Sequence, residues 1–260
     1  MTEYLKIYGE RNTCTRYLRR LIELNFDVGV LEGGGNKFVQ QLQEMLPGKE
    51  LVRDISAYLS YPQDLGWKHS SVKNAQEIQK TTIFRHNKII ILTLTKNPYS
   101  WLLSLHRRPY HQYYEKKPDF LTFLQTPWKP LHRENVHSEL ANPVELWNTK
   151  NKSYIELHSS VLDSLRITSE GLLQSPEIVI DQMANSFSLT RKFSGFMNHD
   201  ESTKAQESTS ITLDTEKDTS YYRDYYLNEI WKEKLTPAAI ETINNSLDDT
   251  VMDYFEYEFL

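Results

Sequence analysis

The sequence has very little cysteine and no long hydrophobic run. Its 260 residues include one cysteine, Cys14, so an internal disulfide is impossible and the chain suits a reducing compartment. No stretch of the sequence reaches the roughly 18 consecutive apolar residues that a membrane-spanning helix needs. These two absences predict a cytoplasmic protein without a membrane span.

An excess of positive charge is also missing. Lys and Arg total 30 against 35 for Asp and Glu, which gives a formal net charge of −5. This balance argues against a general nucleic-acid-binding protein. Basic residues nevertheless concentrate at 16–20 and 106–108, and a local basic pocket is enough to bind a nucleotide. The length is typical of one large domain, and we predict a single domain over 1–260.

Glycine is scarce, with nine residues, and its positions exclude two common phosphate-binding motifs. A Walker A loop requires Gly-x-x-x-x-Gly-Lys followed by Ser or Thr. After Gly9 those last three positions hold Cys14, Thr15 and Arg16. The Rossmann fingerprint Gly-x-Gly-x-x-Gly also fails, because Gly9 is the one glycine of its loop. The glycine run at 33–35 is more simply a flexible turn.

The chain does contain an apolar strand that leads through a polar loop into an amphipathic helix. The strand is predicted over 3–8, the loop GERNTCTR begins at Gly9, and the helix is predicted over 14–25. Unpaired N–H groups and the helix dipole stabilise a phosphate at a helix N-terminus. Two arginines and two threonines add side-chain donors. The loop therefore indicates an anion site, although an ordinary β-to-α turn accounts for it equally well.

A second segment, 88–108, has the same layout. The apolar run 89–94 predicts a buried parallel strand over 88–94, and Pro98 with Asn97 as its cap begins a helix predicted over 98–107. Lys96 then lies at the carboxyl edge of the strand, and Ser104 lies about two turns into the helix. Ligands of open α/β sheets bind outside these strand ends.

Strand and helix patterns alternate along the whole chain, which predicts an α/β fold with a central parallel sheet flanked by helices. A helix pair is predicted to close the chain within 227–259. The remaining periodicity predicts strands at 28–31, 50–54 and 161–168, and helices at 36–46, 72–80, 120–124, 143–158 and 176–187.

Two segments lack clean periodicity. Residues 108–143 are rich in Tyr, Pro, His and Trp and are predicted to form an excursion from the sheet, a candidate lid over an acceptor. Residues 198–220 contain almost no apolar side chains, which predicts a mobile loop.

Together these segments resemble the sulfotransferase family, which uses 3′-phosphoadenosine 5′-phosphosulfate (PAPS) as sulfuryl donor, and specifically a divergent microbial branch of it. The resemblance runs through most of the chain and implies a sulfotransferase-like sheet related to that of P-loop nucleotide kinases. In the family, the first strand–loop–helix holds the 5′-phosphosulfate, and GERNTCTR occupies its place. Family members grip the 3′-phosphate with an Arg-Asn-Pro motif and a Ser eight residues after the Arg. Lys96-Asn97-Pro98 and Ser104 have that spacing.

Two further stretches are similar to the family. Trp67-Lys68-His69 resembles the Lys-x-His or Lys-His that follows a strand. Residues 165–187 resemble the strand, acidic turn and helix that the family usually spells Arg-Tyr-Glu-Asp-Leu-Leu. The residues in register there are Glu170, Leu172, Leu173 and Pro176.

The resemblance implies in-line transfer of a sulfuryl group to an acceptor hydroxyl or amine, with a carbohydrate as the favoured acceptor and no metal. His69 is the expected general base, because an imidazole titrates near neutrality. His106 and His111 are the alternatives. Lys68 and Arg11 are expected to stabilise the leaving phosphate. The residues expected to bind PAPS are Arg11, Asn12, Thr13, Cys14, Thr15, Arg16, Lys96, Ser104 and Arg223.

The chain departs from the family pattern at three of these positions. Asn12 and Cys14 stand where many members have Lys and Gly, so Arg11 or Arg16 must supply the missing charge. Arginine is a planar donor that does not replace lysine geometrically. Lys96 in place of Arg keeps the charge but loses the bidentate fork. Two other functions stay open: a nucleotide-binding protein without catalysis, and a small-molecule kinase, which the absent Walker lysine disfavours.

Overall fold

Four parallel strands form the central sheet of the part of the chain that the structure describes. The structure is a computed structural model and describes residues 2–33, 49–112, 114–136, 138–160, 162–199 and 219–260. The spatial order of the strands is β2-β1-β3-β4, and each neighbouring pair is parallel. The strands are β1 (Glu3–Gly9), β2 (Gly29–Val30), β3 (Lys88–Thr95) and β4 (Ser164–Thr168).

Helices flank this sheet, so the predicted α/β fold with a parallel sheet is confirmed. Two short 3₁₀ helices, His132–Glu134 and Ile230–Lys234, lie in connections. The α-helices are α1 (Thr15–Asn25), α2 (Lys49–Asp64), α3 (Ala75–Gln79), α4 (Thr82–His86), α5 (Pro98–Arg107), α6 (Phe120–Leu124), α7 (Pro143–His158), α8 (Ser169–Gln174), α9 (Pro176–Phe187), α10 (Thr219–Leu227), α11 (Pro237–Asn244) and α12 (Asp249–Phe255). None of the helices within the described ranges has both the length and the apolarity of a membrane span.

One predicted strand is wrong. Residues 50–54 belong to α2, because Leu51, Ile55 and Leu59 recur at helical spacing and a five-residue window cannot distinguish that spacing from a strand. The predicted helix 36–46 lies outside the described residues, as does most of the predicted mobile loop 198–220. The other predicted strands and helices are present, with ends that differ by a few residues.

The central strand β3 is buried on both faces, as its continuous apolar run predicts. Ile89 and Ile91 pack into one hydrophobic core, whereas Ile90, Leu92 and Leu94 pack into a second core on the opposite face. Strand β1 lies beside β3 and contributes to both cores. The two strands therefore form the rigid centre from which the neighbouring loops project.

The order of the strands creates a switch point between β1 and β3. The chain leaves β1 toward β2 on one side of the sheet and then returns to β3 on the other side. In open α/β sheets, ligands bind in the crevice outside the carboxyl ends of the strands at such a point. The loop that follows Gly9 and the turn at Lys96 both lie at this crevice.

The segment that carries Lys68 is inserted between the ends of β1 and β2. The Gly9 N–H donates to the Lys68 carbonyl at 2.9 Å, and the Lys68 N–H donates to the Gly33 carbonyl at 3.0 Å. Where the family motif has a strand before its lysine, this chain has α2 and a turn at Leu65 and Gly66, both with positive φ. Two backbone hydrogen bonds replace that strand.

Lys6 of β1 fixes the position of this turn. Its ammonium group is fully buried and donates to the carbonyls of Glu32, Asp64 and Gly66. Burial lowers the pKa of Lys6 to about 7. A charged side chain is retained in the core here because it satisfies three backbone acceptors from separate segments.

We predict that Gly33→Ala displaces the Lys68 segment. A Cβ atom at residue 33 would lie 2.5 Å from the Lys68 Cβ, so the backbone pairing must open. The free energy of unfolding, measured with urea, should fall by about 1–3 kcal/mol. Gly195→Ala is the matched control, because an added Cβ there meets no atom within 4 Å. Equal stability of the two variants would show that the pairing is not required.

Candidate active site

The loop after β1 has a tight, left-handed backbone. Asn12 has φ 67° and Cys14 has φ 63°, a region that favours glycine. Cys14 is the N-cap residue of α1, and no side chain caps this helix. A non-glycine residue in this conformation costs about 1–2 kcal/mol. Cys14 therefore adopts, at this cost, the backbone conformation that glycine adopts without strain. The start of α1 faces the crevice.

The threonines of the loop are buried and have different roles. Thr13 Oγ donates to the Glu10 carbonyl at 2.5 Å, which closes the turn. Thr15 is the first residue of α1 and is 7% exposed. Thr13 therefore maintains the shape of the loop, and Thr15 lies where the helix dipole is most positive.

Arg11 extends from this loop toward the excursion at 108–143. Its guanidinium carbon lies 4.7 Å from the ring centroid of Trp67 and 4.1 Å from that of Tyr110. One guanidinium nitrogen lies 3.6 Å from a carboxylate oxygen of Glu134. Two aromatic faces and a buried carboxylate thus fix this cation. Its assignment to the leaving phosphate stays a prediction.

A buried lysine from α7, which sequence reasoning missed, connects the parts of the site. Lys150 is fully buried; it forms an ion pair with Glu10 and lies 3.5 Å from the Glu134 carboxylate. It also donates to the His69 carbonyl at 2.8 Å. The signal in the sequence was available, because polar side chains, including Lys150 and Asn151, interrupt the apolar face of α7.

His69 has the geometry of a general base. Its Nδ1 lies 2.6 Å from the Gly9 carbonyl oxygen, which can only accept, so Nδ1 carries the proton and Nε2 is the basic nitrogen. Burial, followed by the charges of Lys68 and Arg11, lowers the pKa of His69 well below its usual 6.5. The imidazole is therefore neutral at pH 7.

The two alternative histidines use Nε2 for backbone contacts. His106 Nε2 lies 2.9 Å from the Pro118 carbonyl, and His111 Nε2 lies 2.8 Å from the Lys129 carbonyl. Burial lowers the pKa of both, that of His111 to about 4. Each of the three imidazoles thus bonds a backbone carbonyl through one nitrogen, and His69 is the one whose partner, Gly9, begins the loop after β1.

Lys96 and Ser104 meet at the carboxyl end of β3. The Lys96 ammonium donates to Ser104 Oγ at 3.3 Å and lies 3.6 Å from the ring centroid of Tyr226. Lys96 is only 2% exposed. Within the described ranges, no carboxylate lies within 4 Å of this ammonium.

The turn that carries Lys96 is held from two directions. The Asn97 side chain caps α5, and the Asn97 N–H donates to a Glu170 carboxylate oxygen at 3.0 Å. The Tyr257 hydroxyl donates to the other oxygen of Glu170 at 2.9 Å. The acidic turn after β4 thus positions the lysine at the end of β3.

Two other predicted residues lie on separate helices, Arg16 on α1 and Arg223 on α10. Arg16 lines a cleft of about 340 Å³ together with Thr15, Trp67 and Lys68. Arg223 is exposed on α10, and its guanidinium donates to the Gln174 carbonyl at 3.0 Å. Neither Arg16 nor Arg223 is shown to contact Lys96 or Ser104, and their roles stay predictions.

No three His, Cys, Asp or Glu side chains of the described residues are grouped as a metal ion would require. The expected independence from metal stays a prediction.

Comparison with known proteins supports the fold. No family model matches the sequence, and a search of curated proteins gives no match. Among solved structures, the chain is similar to mouse sulfotransferase SULT7A1 complexed with PAP, at 13% identity and a TM-score of 0.53, over 99% of this chain and 89% of the mouse protein. Two other solved structures are a sulfotransferase domain from the curacin biosynthetic pathway (14% identity, TM-score 0.44, covering 100% and 99%) and one from the Synechococcus PCC 7002 olefin synthase (14%, 0.38, covering 100% and 95%). The similarity to the mouse enzyme shows that this chain has a sulfotransferase-like fold.

Proposed function

We propose that the protein is a sulfotransferase that moves a sulfuryl group from PAPS to an acceptor hydroxyl or amine, with a carbohydrate as the favoured acceptor. The observation that carries this proposal is the buried Lys96 ammonium. Buried charges in proteins are normally paired, yet the described residues offer Lys96 a serine hydroxyl and an aromatic face instead of a carboxylate. An anion is therefore the expected partner.

The position of Lys96 suggests which anion this is. It lies across the switch point from the loop after β1, so one ligand with two phosphate groups can reach both places. The mouse neighbour is complexed with PAP, adenosine 3′,5′-bisphosphate, which has this character. We assign the 3′-phosphate to Lys96 and Ser104, and the 5′-phosphosulfate to the loop residues 11–16.

The chemistry then follows from His69. An acceptor oxygen or nitrogen attacks the sulfur atom and forms a new bond to it, while the bond from sulfur to the bridging oxygen of the phosphate breaks. His69 Nε2 takes the acceptor proton. Negative charge grows on the leaving phosphate and is stabilised by the N-terminus of α1, by Lys68 and, if it is released from Glu134, by Arg11.

A nucleotide-binding protein without catalysis is the second candidate. It is favoured by the state of Arg11, whose charge is directed to Glu134, and by Asn12, which carries no charge to replace it. This alternative shares the nucleotide site and differs only in turnover. A test must therefore measure binding and transfer separately.

We predict that the protein binds PAP in preference to adenosine 5′-monophosphate, and that Ser104→Ala removes most of that preference. The lost hydrogen bond to a charged phosphate is worth about 1.5–3 kcal/mol, so PAP affinity should fall at least 10-fold in calorimetric titration, with the monophosphate unaffected. Ser159→Ala, at an exposed position just beyond α7, is the matched control. Preference for ATP with magnesium would instead support a kinase.

We predict that Lys96→Met weakens the binding of PAP and leaves the folding of the protein intact. It removes the buried charge and keeps the length of the side chain, so the selective affinity for PAP should be lost. The free energy of unfolding should be unchanged or higher, because an unpaired buried cation is no longer present. A large loss of stability on urea denaturation would show that Lys96 has a structural role, contrary to the proposal.

His69→Ala is predicted to lower transfer by about 10²–10⁴-fold while PAP affinity is retained. Transfer is followed as PAP release from PAPS with a panel of alcohols, amines and saccharides. Because the pKa of His69 is well below 6.5, the wild-type rate should show no loss from His69 protonation as the pH falls from 8 to 6.5. His86→Ala, at an exposed residue, is the control.

The outcomes separate the two candidates. Full turnover in His69→Ala would contradict the base assignment. Tight PAP binding with no turnover on any acceptor would favour the non-catalytic protein.

A further inference from the structure

Tyr226 of α10 lies directly against the proposed 3′-phosphate site. Its ring centroid is 3.6 Å from the Lys96 ammonium nitrogen, and its hydroxyl oxygen is 3.4 Å from Ser104 Oγ. Tyr226, which follows Ser104 by 122 residues, thus contacts both Lys96 and Ser104. No pattern in the sequence distinguishes Tyr226 from the other tyrosines around Arg223.

We propose that Tyr226 is a further residue of the anion site, which holds the Lys96 ammonium with its ring and donates its hydroxyl to the same phosphate as Ser104. The ligand class is a phosphate monoester, and the assignment to the 3′-phosphate rests on the proposed function. Tyr226 would thereby help to distinguish a nucleotide with a 3′-phosphate from one without it.

The directions of the donors support this assignment. An ammonium group has three N–H donors; Ser104 Oγ accepts one, and the face of the Tyr226 ring takes a second. One N–H donor of Lys96 therefore remains for an anion while Tyr226 stays in place. The ring restricts the flexible lysine, so less side-chain entropy is lost when the anion binds.

The two hydroxyl groups can both turn toward a phosphate. In the structure Ser104 Oγ donates to the Ser100 carbonyl at 3.0 Å, so the Tyr226 hydroxyl is the donor in its contact with Ser104. Hydroxyl hydrogens rotate freely, and both can be redirected to phosphate oxygens without movement of the side chains. The site then presents an ammonium and two hydroxyls to one anion.

The acidity of the phenol agrees with this role. Burial raises the pKa of Tyr226, but the adjacent positive charge of Lys96 opposes burial, and the pKa is lowered overall. A more acidic hydroxyl is a stronger donor to a phosphate oxygen.

The position of α10 makes the arrangement stable. The helix packs against α8 and against the 3₁₀ helix Ile230–Lys234. The rings of Tyr225 and Tyr226 meet edge to face with centroids 5.1 Å apart, and the Lys234 ammonium nitrogen lies 4.9 Å from the Tyr225 ring centroid. Arg223 lies on the same side of α10, one turn before Tyr226, and is anchored on the Gln174 carbonyl.

The test compares Tyr226→Phe with Tyr225→Phe by calorimetric titration of PAP and adenosine 5′-monophosphate. Each variant loses one hydroxyl and keeps its ring, so folding is preserved, and thermal unfolding verifies this. Tyr226→Phe should weaken PAP binding by about 10-fold or more, as the loss of one hydroxyl donor to a charged phosphate predicts, and leave the monophosphate unchanged. Tyr225→Phe should change neither affinity.

Three results would overturn the proposal. Unchanged PAP affinity in Tyr226→Phe would show that the hydroxyl does not reach the phosphate. Tighter PAP binding would show that Tyr226 competes with the anion for Lys96. Equal affinity of the wild-type protein for PAP and the monophosphate would refute the 3′-phosphate site itself, and with it the proposed function. The wild-type titration therefore tests the function, and the variant titration tests Tyr226.

Discussion

The buried ammonium of Lys150 holds together the segments on which the site depends. It pairs with Glu10 in the loop after β1, lies beside Glu134 in the excursion, and donates to the carbonyl of His69. Three segments far apart in the sequence thus converge on one cation. Removal of one partner from such a buried pair costs about 3–5 kcal/mol, because the remaining charge is left without compensation. The position of His69 relative to the loop after β1 follows from this contact.

The charges of the site are distributed unequally between its two sides. Near His69 the buried cations Lys150 and Arg11 face the carboxylates of Glu10 and Glu134, so this side is balanced without a ligand. At the end of β3, Lys96 has no such partner among the described residues. An anion can therefore pair with Lys96 directly, whereas it must compete with Glu134 for Arg11.

Local patterns predicted the parts of the site that are close in sequence. Lys96 and Ser104 meet because a buried strand, an Asn97 cap and a helix lie in one continuous segment. The same reasoning failed for 50–54, where a short apolar window has no unique period. Local patterns could not predict which residues Lys150 and Tyr226 contact. Their contacts with Glu10 and Lys96 cross 140 and 130 residues, a separation that no helical or strand period describes.

The residues at which the chain departs from the family pattern change the charge of the loop after β1 more than its backbone conformation. Cys14 takes the left-handed conformation that suits a glycine, so the loop keeps its backbone. Asn12, however, supplies no cation, and Arg11 lies 3.6 Å from Glu134. Neither carboxylate oxygen of Glu134 accepts a hydrogen bond, so this carboxylate holds Arg11 by charge alone. A leaving phosphate that offers bidentate hydrogen bonds competes well for a guanidinium. Under the proposed function, competition between Glu134 and that phosphate for Arg11 is therefore the physical difference between a transferase and a protein that only binds the nucleotide.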